Sequence, residues 1–241
     1  MSYPPIILFD FDGVIITQKA LEYTALYYLR KKFYNWKNTK NIRLIDFARF
    51  FEESDSKNRF LAFYRINKVY KPFISSIWRR TLFFIKFRRM YPKYEKYEIL
   101  KPNLEEILKL FKKNNFLLGI VSNTSKKRLD FFRQKLNLDE YFSVYVSRDD
   151  TPFRKPNPYP IIAALKKVKK NVNYSINKDN IYYIGDLPAD IECAKNANIK
   201  SIALLSGHGT KEGLEKANPT FLLQNIKNIL EIEEFKKYLL D

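Results

Sequence analysis

The sequence has 241 residues, of which 46% are hydrophobic and 29% charged, and its formal net charge is +18; this length can hold one α/β domain with an insert. Its single cysteine, Cys193, excludes an intrachain disulfide, and we expect a buried small residue in a cytoplasmic protein. The longest stretch without a charge, residues 114–125, is too short to cross a bilayer, and no basic region precedes the first apolar run, so we expect neither a membrane span nor a signal peptide.

The first predicted strand, Ile6–Phe9, is an apolar run that leads directly into two acidic residues. Asp10 and Asp12 follow it, and Gly13 comes next. In an open α/β sheet, ligands bind at the carboxyl ends of the strands. Two carboxylates two residues apart can hold a divalent cation and leave one oxygen free for chemistry. The motif alone also fits a plain acidic turn, so its meaning depends on the rest of the chain.

The segment from residue 18 to residue 94 differs in composition from its surroundings. It contains no glycine, is rich in aromatic residues and places apolar residues at helical spacing, which predicts an inserted all-helical segment. It also holds 19 lysines and arginines against 5 acidic residues, so it carries +14 of the net charge of +18.

The middle of the chain adds two polar groups of a different kind. A second predicted strand, Leu117–Val121, ends in Ser122 and Asn123. Lys155 lies further on, just before the helical run 161–168. A hydroxyl, an amide and a cation therefore follow the two acids in chain order.

A further predicted strand, Ile181–Ile184, ends in Gly185 and supplies two more acids, Asp186 and Asp190. The chain's single histidine, His208, lies in a glycine-flanked loop, where a solvent-facing position is expected and a substrate contact is the alternative. The remaining elements alternate, with strands predicted at 144–146, 201–204 and 220–223 and helices at 126–136 and 226–240. Such alternation predicts a doubly wound, Rossmann-like parallel sheet.

Four ordered motifs, at Asp10, Ser122, Lys155 and Asp186, resemble those of the haloacid dehalogenase superfamily. The resemblance is to its phosphatase branch with an inserted helical cap, to which phosphoglycolate phosphatases belong. It covers about 1–17 and 95–241, which it implies are the Rossmann-like catalytic core, with 18–94 as the helical cap domain. Four motifs in order are far more specific than any one of them.

The resemblance implies a role for each residue. Asp10 falls on the family's nucleophile and Asp12 on its general acid/base, while Ser122 and Lys155 fall on its phosphate-binding groups, which Asn123 joins. The implied magnesium ligands are Asp10, Asp12 and Asp186, with supporting roles for Gly13 and Asp190. The residue types suit this chemistry, because magnesium offsets the repulsion between a phosphate dianion and an attacking carboxylate, which then forms an aspartyl-phosphate.

Two positions distinguish this chain within the branch. Family members that remove halide generally lack a carboxylate at the position of Asp12, so its presence favours hydrolysis of phosphate esters. Relatives often carry an acid where this chain has Thr17, which puts the transfer of their substrate preference in doubt. The sugar-phosphate mutases carry a histidine near the cap hinge, and His208 lies far along the chain, so a mutase is disfavoured.

The sequence leaves three functional hypotheses. The first is a magnesium-dependent phosphatase acting on a small phosphorylated metabolite. The second is a phosphatase for nucleotides or nucleic-acid ends, motivated by the basic, aromatic insert. The third is a nucleic-acid-binding protein on a catalytically idle phosphatase fold. The insert's positive charge is most simply a solvated face of amphipathic helices; steering of an anionic substrate is the next interpretation.

Overall fold

The computed structural model describes residues 5–17, 19, 20, 24, 64, 71, 76–171 and 177–239. The chain divides into two compact units, one of Met1–Thr17 with Ile99–Asp241 and one of Gln18–Glu98. Most of the helices predicted between residues 18 and 76 lie outside the described residues. The second unit ends four residues beyond the predicted insert, and its role as a cap stays a prediction.

The first unit is built on a six-stranded parallel sheet with the order β3-β2-β1-β4-β5-β6. Its strands are β1 Ile6–Phe9, β2 Leu117–Val121, β3 Val144–Val146, β4 Ile181–Gly185, β5 Lys200–Leu204 and β6 Phe221–Leu223. Central β1 pairs with β2 and β4, and Ile6 lies opposite both Leu117 and Ile181. The predicted doubly wound α/β fold of the core is confirmed.

Helices cover the sheet in the first unit. They are α2 Leu104–Lys113, α3 Lys126–Lys135, α4 Tyr159–Asn171, α5 Pro188–Asn196, α6 Lys211–Ala217 and α7 Glu233–Lys236, with α1 Ile77–Tyr94 in the second unit. Side chains alternate along β1, so Ile7 and Phe9 enter one buried cluster while Ile6 and Leu8 enter another. Cys193 of α5 lies in the second cluster, as predicted, and burial raises the pKa of its thiol to about 12.

The two chain segments that border the insertion point pair with each other inside the first unit. Ile16 and Leu100 form an antiparallel bridge. The backbone N–H of Thr17 donates to the carbonyl of Ile99 at 2.9 Å, and the Thr17 hydroxyl accepts from the N–H of Ile99 at 3.3 Å. Thr17, at the position where the resemblance implies an acid, therefore has a structural contact here.

In the second unit, α1 buries Phe83 and Phe87, two of the residues whose spacing predicts a helix there. Trp78 and Leu82 are instead 82% and 50% exposed. Pro92 lies inside this helix, which ends at Tyr94.

The prediction of a single closing helix over residues 226–240 is wrong. The segment forms a 3₁₀ helix over Ile226–Glu231 and then the four-residue α7. Its buried residues, Ile226, Ile229, Ile232 and Phe235, recur every third position. A period of three matches the 3.0 residues per turn of a 3₁₀ helix better than the 3.6 of an α-helix. Ile232, between the two pieces, has an extended backbone.

Among the described residues, no helix is long and apolar enough to span a bilayer.

Candidate active site

The predicted site residues follow three neighbouring strands. Asp10 follows β1, Ser122 follows β2 and Asp186 follows β4. The N–H of Asp10 donates to the carbonyl of Ile184 at 2.8 Å, and the N–H of Ser122 donates to the carbonyl of Val146 at 2.9 Å. These bonds extend the sheet ladder beyond the strands and fix the starting direction of each side chain. The order β2-β1-β4 therefore brings the three residues to one edge of the sheet.

Lys155 links Asp10, Tyr183 and Asp190 into one polar cluster. Its Nζ donates to Oδ1 of Asp10 and to Oδ1 of Asp190, each at 2.6 Å, and to the hydroxyl of Tyr183 at 3.0 Å. Its backbone N–H donates to Oδ1 of Asn123 at 3.1 Å, which ties this loop to the end of β2. Burial alone would lower the pKa of Lys155, but the two carboxylates outweigh it and raise the pKa well above its ordinary value.

Asp10 is held in a buried, acid-rich environment. Burial raises the pKa of its carboxyl well above the ordinary value; Lys155 acts against this shift, whereas Asp190 and Asp186 add to it. A divalent cation beside Asp10 would favour the ionised form that a nucleophile requires. The raised pKa of Asp10 is therefore consistent with a site in which a bound metal ion keeps this carboxyl group ionised.

Asp186 is fully buried and is held by the loop that contains His208. Its Oδ2 accepts from the backbone N–H of His208 at 2.7 Å and lies 2.9 Å from Nδ1 of the same residue. Burial would raise the pKa of Asp186, but His208 outweighs it and lowers the pKa. In turn, Asp186 overcomes the effect of burial on His208 and raises the pKa of the imidazole.

The predicted solvent-facing position of His208 is wrong, because its side chain is only 7% exposed. Gly207 explains this placement. A Cβ atom at Gly207 would lie 2.1 Å from Cβ of Asp186, so only glycine lets the loop come this close. Gly13 has a similar role on the other side, since its φ is +79° and its Cβ would lie 2.3 Å from Oδ2 of Asp186.

Asp190 joins the first turn of α5 to Lys155. Its Oδ2 accepts from the backbone N–H groups of Asp186 at 3.1 Å and Leu187 at 3.0 Å, while Oδ1 accepts from Lys155. A carboxylate in the first turn also complements the helix dipole. Asp190 therefore positions both the Asp186 loop and the lysine.

A divalent cation fits this cluster. Oxygen atoms of Asp10, Asp186 and Asp190 lie within 4.8 Å of one another, and all three residues are buried. Oδ1 of Asp186 is buried and finds no hydrogen-bond partner among the described residues. Carboxylate oxygens are the donors that Mg²⁺ prefers, and a buried orphan acceptor is costly without a cation.

The Asp12 carboxylate is not part of this group of three and contacts Arg128 instead. Both of its carboxylate oxygens accept from Nη1 of Arg128, at 2.8 Å each. The set of carboxylates that lie close enough together to share a metal ion contains Asp190 and does not contain Asp12. Asp12 as a third magnesium ligand stays a prediction.

A family model described as haloacid dehalogenase-like hydrolase matches residues 7–204. The chain belongs to this family. The resemblance and the hydrolase class predicted from the four motifs are thereby confirmed.

Similar sequences carry the names of phosphate-releasing enzymes. The "Putative pyrophosphatase PpaX" of Caldanaerobacter subterraneus subsp. tengcongensis is 24% identical over 227 residues, which cover 94% of this chain and 93% of that protein. The phosphoglycolate phosphatase of Escherichia coli K12 is 25% identical over 148 residues, which cover 59% of this chain and 56% of the relative. This second match thus spans little more than half of that enzyme.

Solved structures share the fold. A "Putative Phosphatase" from Clostridium difficile gives a TM-score of 0.67 at 21% identity and covers 96% of this chain and 99% of its own. A haloacid dehalogenase-like family hydrolase from Streptococcus pneumoniae gives a TM-score of 0.66 at 15% identity, with 95% and 97% covered. At these identities the comparison establishes the fold.

Ser122 and Asn123 lie beside the cluster in this hydrolase. Ser122 is 3% exposed, and its Oγ accepts from the backbone N–H of Thr124 at 3.0 Å. An acceptor bond leaves the hydroxyl proton available for donation. Asn123 reaches the cluster through its bond to the backbone of Lys155.

Sequence reasoning missed Tyr183 and Arg128, which the structure brings to the site, and it gave a contact at the site for His208 only as the alternative to a solvent-facing position. The hydroxyl of Tyr183 donates to the carbonyl of Val121 at 2.8 Å and accepts from Lys155. Tyr183 reads in the sequence only as an apolar strand residue. Arg128 gave a weak signal, as a cation in the helix that follows Ser122.

Proposed function

We propose that this hydrolase is a magnesium-dependent phosphatase that cleaves a small phosphate monoester through an aspartyl-phosphate on Asp10. The observation that carries the proposal is the buried cluster in which Lys155 contacts Asp10, while Oδ1 of Asp186 has no hydrogen-bond partner in the described part of the chain. Names of the related sequences support release of phosphate from small molecules.

Binding of the phosphoryl group is assigned to the cation and the polar groups around Asp10. Lys155 and the Ser122 hydroxyl would hold non-bridging oxygens, and Asn123 keeps the lysine loop in place. Asp10 and Asp186 would hold Mg²⁺, with Asp12 as the predicted third ligand and Asp190 in support. When bound, Mg²⁺ supplies positive charge that offsets the repulsion between the phosphate dianion and the Asp10 carboxylate.

The reaction then has two displacement steps. A carboxylate oxygen of Asp10 attacks phosphorus, a new P–O bond to Asp10 forms, and the P–O bond to the leaving alcohol breaks while Asp12 gives that oxygen a proton. In the second step, water attacks the phosphorus of the aspartyl-phosphate as Asp12 takes a proton from it. The bond to Asp10 breaks, and inorganic phosphate leaves.

The experiment is release of inorganic phosphate from a panel of monoesters, with Mg²⁺ or with EDTA. We expect Mg²⁺-dependent release by the native chain and a loss of at least about a hundredfold in Asp10→Asn, because an amide is a poor nucleophile. The matched control is Asp179→Asn, at an exposed position that precedes the N-terminal end of β4, whereas the cluster lies beyond its C-terminal end, and this variant should keep native activity. Full activity of Asp10→Asn contradicts the covalent mechanism.

The panel also separates the alternatives that the basic insert raises. Phosphoglycolate represents the small monoesters, and pyrophosphate, a phosphoanhydride, is added to the panel as a second small substrate. A nucleoside monophosphate and a 3′-phosphorylated oligonucleotide represent the second hypothesis. Preference for the nucleotides would favour a nucleotide or nucleic-acid-end phosphatase. Salt-dependent DNA or RNA binding without hydrolysis would favour the idle, nucleic-acid-binding fold.

A further inference from the structure

Arg128 is fixed beside the site by its own helix. It is the third residue of α3, and its backbone N–H donates to Oγ of the N-cap residue Ser125 at 3.3 Å. The guanidinium carbon lies 5.7 Å from the ring centre of Phe11 and 5.2 Å from that of Phe132. Aromatic faces at these distances attract a cation and limit its movement.

From this position, one nitrogen of Arg128 holds Asp12. Nη1 lies 2.8 Å from each carboxylate oxygen of Asp12 and 3.0 Å from Oγ1 of Thr124. The side chains of Arg128 and Asp12 are 16% and 17% exposed, so solvent competes weakly with this pair. The distances are those of charge-assisted hydrogen bonds.

We infer that Arg128 is a positioning residue for proton transfer by Asp12. This inference rests on the proposed phosphatase function, in which Asp12 gives a proton to the leaving oxygen. Without a partner, a carboxyl group at the end of a strand can turn among several rotamers. Arg128 restricts Asp12 to one orientation, while Lys155 holds Asp10.

The arrangement permits transfer of the proton as well as orientation. When one oxygen of Asp12 carries the proton, the other still accepts from Nη1, so the pair persists in both states. The O–H bond of Asp12 breaks as the bond from that proton to the leaving oxygen forms. Rate gains from such a step require the acid within hydrogen-bond reach of that oxygen.

This role makes the effect of Arg128 depend on the leaving group. An alkoxide leaving group needs a proton as it departs, whereas 4-nitrophenolate is stable without one. Loss of Asp12 orientation therefore slows hydrolysis of alkyl phosphates and spares that of 4-nitrophenyl phosphate. Misplacement of the nucleophile or of the metal would slow both.

The test compares kcat/KM for the best alkyl phosphate of the panel with kcat/KM for 4-nitrophenyl phosphate. This parameter reports the steps up to departure of the leaving group, whichever later step limits kcat. In Arg128→Gln we expect at least about a tenfold loss with the alkyl ester and a change within about twofold with the aryl ester. Arg128→Lys should recover part of the alkyl activity.

Two further variants keep the comparison decisive. Arg133→Gln removes another arginine of α3, one that pairs with the exposed Asp139. This variant should leave kcat/KM unchanged for both the alkyl and the aryl ester. Thr124→Val removes a further acceptor of Nη1 and should give a smaller, alkyl-selective loss; it carries the test if Arg128→Gln fails to fold. Equal losses with both esters, or no loss, overturn the inference while the phosphatase function stands. An inactive native chain overturns both proposals.

Discussion

At the scale of single residues, one buried cation is shared by two buried carboxylates. Lys155 contacts Asp10 and Asp190 directly, and its side chain is 5% exposed. Transfer of such groups from water is costly, and they are tolerated because each has a partner of opposite charge. The same balance fixes the relative positions of the ends of β1 and β4.

Replacement of this cation should therefore destabilise the fold as well as abolish activity. For Lys155→Met in EDTA we expect the free energy of unfolding to fall by about 3–5 kcal/mol, because two buried carboxylates lose their partner. Urea unfolding measures the change. Lys200→Met is the control, since its pair with Glu234 is 29% and 37% exposed and should contribute about 1 kcal/mol or less. Equal losses in the two variants would contradict this account.

At the scale of elements, the C-terminal segment is stabilised by what it buries. The four-residue α7 is too short to be stable by itself. Its Phe235 is fully buried, with ring centres 6.2 Å from Phe111, 6.1 Å from Phe116 and 4.6 Å from Tyr182. The aromatic contacts thus attach the end of the chain to α2 and β4.

We expect Phe235→Ala to lower the free energy of unfolding by about 3–5 kcal/mol, because it removes a buried ring and leaves a cavity. Thermal or urea unfolding measures the loss. Leu230→Ala, at a position that is 37% exposed in the same segment, should cost no more than about 1 kcal/mol. A loss for Phe235→Ala as small as that of Leu230→Ala would show that the aromatic contacts do not hold this segment.

The same element has a pH-dependent link to the sheet. Burial would raise the pKa of Glu234 on α7, but hydrogen bonds from Lys200 and Tyr182 outweigh it and hold the pKa below its ordinary value of 4.5. A carboxyl whose pKa is lowered on folding stabilises the folded state above its unfolded pKa. That contribution is lost as pH falls through the lower, folded pKa.

Glu234→Gln should consequently be less stable than the native chain near neutral pH, and the difference should shrink as pH falls below 4.5. Urea unfolding of both proteins between about pH 7 and about pH 3 measures it. Glu192→Gln, at an exposed position on α5, is the control and should show little difference at any pH. A difference that stays constant to the acid limit would rule out the titration of Glu234 as its cause.

At the scale of the whole molecule, charge is distributed unevenly along the chain. Residues 18–94 carry +14 of the net +18. Exposed charges act on an approaching anion over about 10 Å at 0.1 M salt. Such an excess of positive charge can raise the rate at which the protein encounters a phosphate dianion, even where the basic side chains make no contact with that dianion.

If this charge steers substrate, kcat/KM for a dianionic ester should fall severalfold as the ionic strength rises from about 0.02 to about 0.5 M, while kcat stays nearly constant. Steady-state kinetics at several salt concentrations measure both. Independence of salt would leave the basic residues as a solvated face. Salt-dependent binding of single-stranded DNA would instead favour the nucleic-acid hypothesis.

The sequence by itself determined the order of strands and helices in the core and the motif residues, because hydrophobic periodicity and strand-end acids are local signals. It led to Asp10, Lys155, Asp186 and Asp190 before their contacts were known. The inserted segment, whose predicted helices lie mostly outside the described residues, stays a prediction.

Only the tertiary structure decided the partners of these residues. Arg128 is 116 positions from Asp12, and His208 is 22 positions from Asp186. No local pattern encodes such pairs, because they depend on which strands are neighbours in the sheet and how closely glycine lets two loops approach. The 3₁₀ turn near the C-terminus was likewise decided by packing, since burial of every third residue outweighed α-helical propensity there.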